Sequence, residues 1–433
     1  MSKQRRLTAG LCGAIGVSVL LASTARAQPQ ADEIAQAKTV FVDAKAASDK
    51  DGGRLWGVTL YGKLLVVDPQ TGFAVANEPD AQGVLHPSDG VYVGKLPKDV
   101  IISNAPTEWE GARWTMLMFP TLPDNRIDRG ITFAHEMFHR VQPGLHLSAN
   151  DTPCLHLDTV EGRVWMQLEW RALAAALIET GPAQTEAIRD ALAFRAYRQS
   201  RFPGAQKAEA GQEIAEGVPE YTGVMTGEPD VQSARWRAAG KLAHPDTTIS
   251  FVRSFAYTSG PGYGLLLDER APGWRTRIDA QSDLGALLGS ALGGKVRVSA
   301  EDRAALYGAS EIRMMEADRA AKGEAEKARY RALLMTGPTL TTPQPGNFSF
   351  NPSTLISLGD GFTIYPTFHA VAKWGTLDVK DGVRIPTDFS STTLAAPKTT
   401  TGPHLEGPGW TIDLAPGWSL APGEKAGSFV LKH

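Results

Sequence analysis

The chain has 433 residues, 42% of them hydrophobic and 21% charged, a globular composition that excludes a disordered or fibrous protein. Its 44 basic and 47 acidic residues give a formal charge of −3, and four of the basic residues fall within residues 1–27, so the remainder stands at −7. No basic stripe or polybasic tail is present, which argues against nucleic acid or an anionic membrane as a partner.

Lys3, Arg5 and Arg6 precede an apolar, small-residue run over 7–21, and Ala25-Arg26-Ala27 is the pattern that a signal peptidase cuts. Residues 1–27 therefore read as a signal peptide, with Gln28 as the mature N-terminus and a periplasmic or extracellular destination. About 15 apolar residues are too few to span a bilayer, so no membrane insertion of the mature chain is expected. With Cys12 inside this leader, Cys154 stands alone and no internal disulfide can form.

Residues 31–47 show helical spacing at Ile34, Ala37, Phe41 and Ala44. The period then changes. Short β-branched or aromatic runs at 55–61, 64–67, 91–93, 100–102 and 113–119, separated by Gly, Pro, Asn and Asp, predict a mainly antiparallel sheet. After a loop over 121–128 the pattern predicts helices over 130–142, 159–178, 185–202, 207–222 and 299–335, the last with Ser299 as N-cap. Pro338, Pro343, Pro345 and Gly346 suggest a linker over 338–345, followed by a small β-rich domain over 346–433 with a hairpin at Lys380-Asp381-Gly382.

The segment from Ile131 to Gln142 contains His135-Glu136-Met137-Phe138-His139, an H-E-x-x-H pattern whose accidental occurrence in this composition is roughly one per cent. On a helix, residues four apart share a face, so the two imidazoles can grip one ion while Glu136 reaches a water on it. Zn2+ is the expected cofactor, with His135 and His139 as ligands and Glu136 as general base. Catalytic zinc takes three protein ligands. His146 lies seven residues after His139, a spacing that does not fit a third histidine ligand, and Glu216 and Glu169 remain as candidates. Glu169 has a competing structural role as the partner of an arginine such as Arg163 or Arg195.

Glu216-Gly217 followed by Tyr221, downstream of H-E-x-x-H, resembles the third-ligand segment of gluzincins such as aminopeptidase N. A second likeness follows in Tyr257-Thr258-Ser259-Gly260 and then Leu265-Leu266-Leu267-Asp268. The resemblance covers residues 115–268. It implies Glu216 as the third ligand and Tyr257 as the donor that holds the oxyanion, with Tyr263 as a rival. The segment that grips a substrate's free amine in aminopeptidase N has no counterpart before His135, so aminopeptidase action is not implied.

Together these readings predict an α+β chain: a zincin-like catalytic domain over 28–337, with its sheet first and its helices after, and a β-rich domain beyond. The expected function is a secreted zinc metallopeptidase acting on a peptide or protein. A substrate strand is expected to pair with a sheet edge at Thr115 and Leu117. Two other readings are a non-catalytic binding protein on the same scaffold and a zinc hydrolase of a non-peptide amide or ester. The run from Ser259 to Gly264 superficially resembles a phosphate loop and is read as a turn before a helix, because Pro261 removes a backbone donor.

Overall fold

The computed structural model describes residues 24–433 apart from 98, 120–122, 150–151, 294–298 and 360. Residues 1–23 of the expected signal peptide lie outside the described residues; residues 24–27 begin helix α1, Thr24–Asp51. Six strands follow: β1 (Leu64–Val67), β2 (Phe73–Ala76), β3 (His86–Ser88), β4 (Val91–Lys95), β5 (Ala105–Trp109) and β6 (Ala112–Met118). They form one sheet in the order β3-β4-β2-β1-β6-β5, antiparallel except for the β1–β6 pair. The apolar run 55–61 is not a strand. Gly52, Gly53 and Gly57 take positive φ, the chain turns, and Leu55, Trp56 and Leu60 pack into the helical core instead. Nor is 100–102 a strand, since Val100 N–H closes a turn onto the Pro97 carbonyl.

The order of the sheet corrects one expectation. β6 is an interior strand, with Thr115 opposite Leu64 of β1 on one side and Pro106 of β5 on the other. Thr115 and Leu117 are wholly buried, and no substrate can pair with them. The edge is β5, where Pro106, which cannot donate to a ladder, is tolerated.

The helical middle comprises α2 (Arg126–Val141), α3 (Val160–Ile178), α4 (Gly181–Arg201), α5 (Ala205–Gln212), α6 (Val218–Gly227), α7 (Val231–Ala243), α8 (Phe251–Ser254), α9 (Ala256–Arg270), α10 (Leu284–Ala291), α11 (Ala300–Ala304) and α12 (Ala309–Arg331). Asn125 caps α2 by accepting from the amides of Ile127 and Asp128, and Thr159 and Ser299 cap α3 and α11 in the same way. α7 and α9 lie outside the periodicity read from sequence. The turn expected at Ser259–Gly264 is the interior of α9, and its glycines serve close packing rather than a loop. A Cβ on Gly260 would sit 2.2 Å from the Gly217 carbonyl oxygen, and one on Gly264 would meet the ring of Tyr221. At Gly223 and Gly227 an added Cβ would sit 2.7 and 2.9 Å from the backbone of α2 at Ile131.

The segment 338–345 is not a linker, because Thr339–Pro343 is an interior strand of the C-terminal β region. That region holds two sheets. One runs Ser419–Pro422, Phe429–Lys432, Thr339–Pro343, Ser391–Ala395, Val383–Pro386, Phe362–Tyr365, Ile356–Gly359, and the other runs His404–Gly407, Trp410–Leu414, Gly375–Val379, Phe368–Ala372, Asn347–Phe350. Leu340, Ile385 and Leu394 of the first share a core with Phe368, Leu377 and Trp410 of the second, so the sheets pack face to face. The expected hairpin at 380–382 does not form: Gly375–Val379 and Val383–Pro386 belong to different sheets, and Gly382, at φ +90°, turns the chain from one to the other. Val252 of α8 enters the sandwich core, and Ser250 N–H bonds the Ser353 carbonyl at 2.9 Å, which ties the sandwich to the helices.

The α9 contact at Gly260 tolerates no side chain. Gly260→Ala is expected to lose about 1–3 kcal/mol of stability, measured by urea denaturation; an unchanged midpoint would show that the two backbones have room to separate.

Candidate metal centre

α2 places His135 and His139 one turn apart on a single face, and α6 brings acidic residues against that face. Between α5 and α6 the chain makes one π-helical turn, Glu213–Gly217. The wider turn sets Glu213 off the face that carries Glu216. Glu213 instead meets Arg195 at 2.7 Å, while Glu216 Oε2 lies 3.5 Å from His135 Nε2 and 3.4 Å from His139 Nε2. The two Nε2 atoms are 3.0 Å apart. A tetrahedral ion with bonds of about 2.0–2.1 Å sets its ligands roughly 3.3 Å apart, so this triangle fits a zinc-sized ion. Among the described residues these three form the one group of His, Cys, Asp and Glu side chains close enough to hold a metal.

The opposite nitrogens decide which way each ring faces. His135 Nδ1–H donates to Glu220 Oε2 at 3.0 Å. His139 Nδ1–H donates to Gln142 Oε1 at 2.9 Å, because the Gln142 amide nitrogen is committed to the carbonyls of Leu147, Ile214 and Ala215. Both lone pairs are thus aimed inward. Two prolines contribute. Pro219 has no N–H for the carbonyls of Ile214 and Ala215, and Gln142 satisfies both. Pro261 likewise leaves the Tyr257 carbonyl without its helical donor, and Lys241 Nζ takes it at 2.8 Å while holding Glu220 Oε1 at 3.1 Å.

The electrostatics favour a cation. Burial works against a charged His135, but its contacts with Glu216 and Glu220 and the charge of Glu136 outweigh that and push its pKa up to about 10. Burial would raise both carboxylates, yet the imidazoles hold Glu216 well below the usual range, and Lys241 with His135 holds Glu220 at about 2. Glu136 moves the other way: burial raises its pKa, and its Oε2 is buried with no hydrogen-bond partner. Tyr257 donates to Glu216 Oε2 at 2.6 Å, and its ring stacks on His135 with centroids 5.3 Å apart and planes 8° from parallel. Burial and the Glu216 charge raise its hydroxyl well above the ordinary tyrosine value.

His135, His139, Glu136, Glu216 and Tyr257 therefore converge. Glu169 does not. It is fully buried beneath the site, 2.6 Å from Arg198 and within hydrogen-bond distance of the Tyr263 hydroxyl, in a network that runs through Arg195, Glu213, Glu209 and His156. Tyr263 is absorbed there too. His146 ends a short 3-10 turn at φ 61° and takes no part in the cluster. Cys154 is a free, buried core thiol. Sequence reading missed Glu220, Gln142 and Lys241. The spacing of Glu216 and Glu220, four apart like the histidines, was the available signal. No protein-family model, curated protein or solved structure matches the chain.

Glu216→Gln is expected to abolish stoichiometric zinc, whereas Glu169→Gln keeps the metal and loses about 1–3 kcal/mol of stability by removing one of the two buried carboxylates paired with Arg198. Elemental analysis beside urea denaturation of both variants checks this, and zinc retained by Glu216→Gln would overturn the ligand assignment. A metal entering the cluster must displace the proton on His135 at any pH below about 10. Zinc affinity of the metal-free protein is thus expected to rise about tenfold per pH unit between pH 6 and 9, measured by chelator competition; a flat profile would contradict it.

Proposed function

We propose that the chain is an exported zinc metallopeptidase with a zincin-like catalytic domain of the gluzincin type. The observation that carries this reading is the triangle of His135, His139 and Glu216 with the unpartnered carboxylate of Glu136 beside it. Zinc held there would polarise a substrate carbonyl and lower the pKa of bound water to about 7. Glu136, with a free buried oxygen, takes the proton of the attacking water and delivers it to the leaving amine. Tyr257 turns its hydroxyl from Glu216 to the developing oxyanion. Glu220 and Gln142 hold the two imidazoles in the ligating tautomer throughout.

The cleft favours a polymeric substrate. Glu136 and Tyr257 open on a cavity of about 620 Å³ that also reaches Asn104, next to the edge strand β5. An extended chain could pair with β5 and cross the site, which gives strand addition a different edge from the one first expected. The basic, then apolar leader ending in Ala25-Arg26-Ala27 supports export, and no helix among the described residues is long and apolar enough to cross a membrane.

Protein purified from the exported fraction, with Gln28 at its N-terminus, is expected to contain one zinc and to cleave peptides in a chelator-sensitive manner. Glu136→Gln is expected to keep the zinc and lose at least about 100-fold in turnover. Near-normal turnover by that variant would remove Glu136 from the mechanism, and cleavage of esters but not peptides would replace the substrate class.

A further inference from the structure

The cavity at the metal centre has two walls from different parts of the chain. One carries Glu136 and Tyr257, with Ile102 and Met118 from the N-terminal sheet region. The other comes entirely from the C-terminal sandwich and includes Phe350, Phe368, His369 and Asp378. The sandwich is therefore part of the site rather than an appendage to it.

Its wall divides by chemistry. The rim is polar: His369 Nδ1–H donates to Asp378 across the Phe368–Ala372 and Gly375–Val379 strands at 2.7 Å, and Lys380 stands beside them. The floor is apolar. Phe350 is partly exposed to the cavity, and the rest of its ring is held in place. Tyr365 meets it edge-on with centroids 5.0 Å apart, Phe348 lies alongside at 6.2 Å, and the Arg253 guanidinium sits 5.3 Å from its centre. Arg253 belongs to α8, so the helical part of the molecule fixes the ring that the sandwich contributes. A packed aromatic face, in a cavity that Ile102 and Met118 also line, loses little entropy on receiving an apolar side chain.

We propose that this floor is a side-chain pocket for a large apolar residue next to the cleaved bond of a polypeptide, with Phe350 as the residue that sets the preference. The inference rests on the peptidase reading given above and names its substrate class. Replacing Phe350 by alanine removes an aromatic ring from this apolar lining, and contacts of this size distinguish substrates by roughly 10- to 200-fold.

Binding separates this pocket from the chemistry. Blocked hexa-alanine peptides, plain or carrying one phenylalanine at each position in turn, are titrated into zinc-loaded Glu136→Gln protein. The expected result is at least about tenfold tighter binding for one placement of phenylalanine over plain alanine. Adding Phe350→Ala should collapse that ratio towards one; Phe350→Leu, which keeps bulk, should retain a preference and guards against misfolding. Equal binding of all the peptides, binding of none, or a preference that survives Phe350→Ala overturns the pocket. Chelator-sensitive cleavage by the unmodified protein without any apolar preference would sink the pocket alone, whereas no cleavage of any peptide would sink the peptidase reading.

Discussion

Two imidazoles on one helical turn can share a cation only if each turns a ring nitrogen with a free lone pair inward, and the contacts around α2 meet that condition. Glu220 and Gln142 take the outer Nδ1–H groups, which leaves the two Nε2 atoms 3.0 Å apart with Glu216 beside both. Facing lone pairs and a carboxylate in a buried place repel one another unless a positive charge lies among them. The rise of His135 and the depression of Glu216 are one effect seen from opposite sides, and at Glu220 the charge of Lys241 adds to it.

The orienting groups depend in turn on backbone that has been deprived of its own hydrogen bonds. Pro219 and Pro261 sit inside helices, where a proline normally costs stability because a carbonyl loses its donor. Here Gln142 and Lys241 supply the missing donors, and each then holds a site residue. Glycine contacts complete the arrangement. Gly217 against Gly260, and Gly223 and Gly227 against Ile131, bring three helices close enough for short side chains to meet. Among the same helices the buried charges of Arg195, Arg198, Glu169, Glu209 and Glu213 are paired, and separating a buried ion from its partner is costly.

The C-terminal sandwich changes the meaning of the cleft. Were it a separate module, the centre would lie open on one side. Val252 inside its core, Ser250 bonded to Ser353 and Arg253 against Phe350 all couple it to the helices that carry Tyr257. Specificity and chemistry on this reading come from opposite walls of one cavity.

How much of this was legible beforehand follows the range of each signal. Helical period and capping residues placed α2 and α3 closely, and H-E-x-x-H put two histidines one turn apart with a glutamate beside them, because those relations span one or two turns of a single helix. The strand reading of 55–61 failed where glycines allowed a turn and the core accepted the apolar side chains, and the hairpin reading at 380–382 failed because two strands joined by a tight turn entered different sheets. Local sequence thus determined several of the helices and that His135 and His139 would share a face with Glu136 next to them. Only the tertiary structure brought Glu216 rather than Glu169 to the two histidines, made β5 rather than β6 the edge, and set the sandwich against the cleft. Those outcomes depend on contacts between residues dozens of positions apart, and no short-range pattern encodes which of two glutamates will find an arginine and which a pair of histidines.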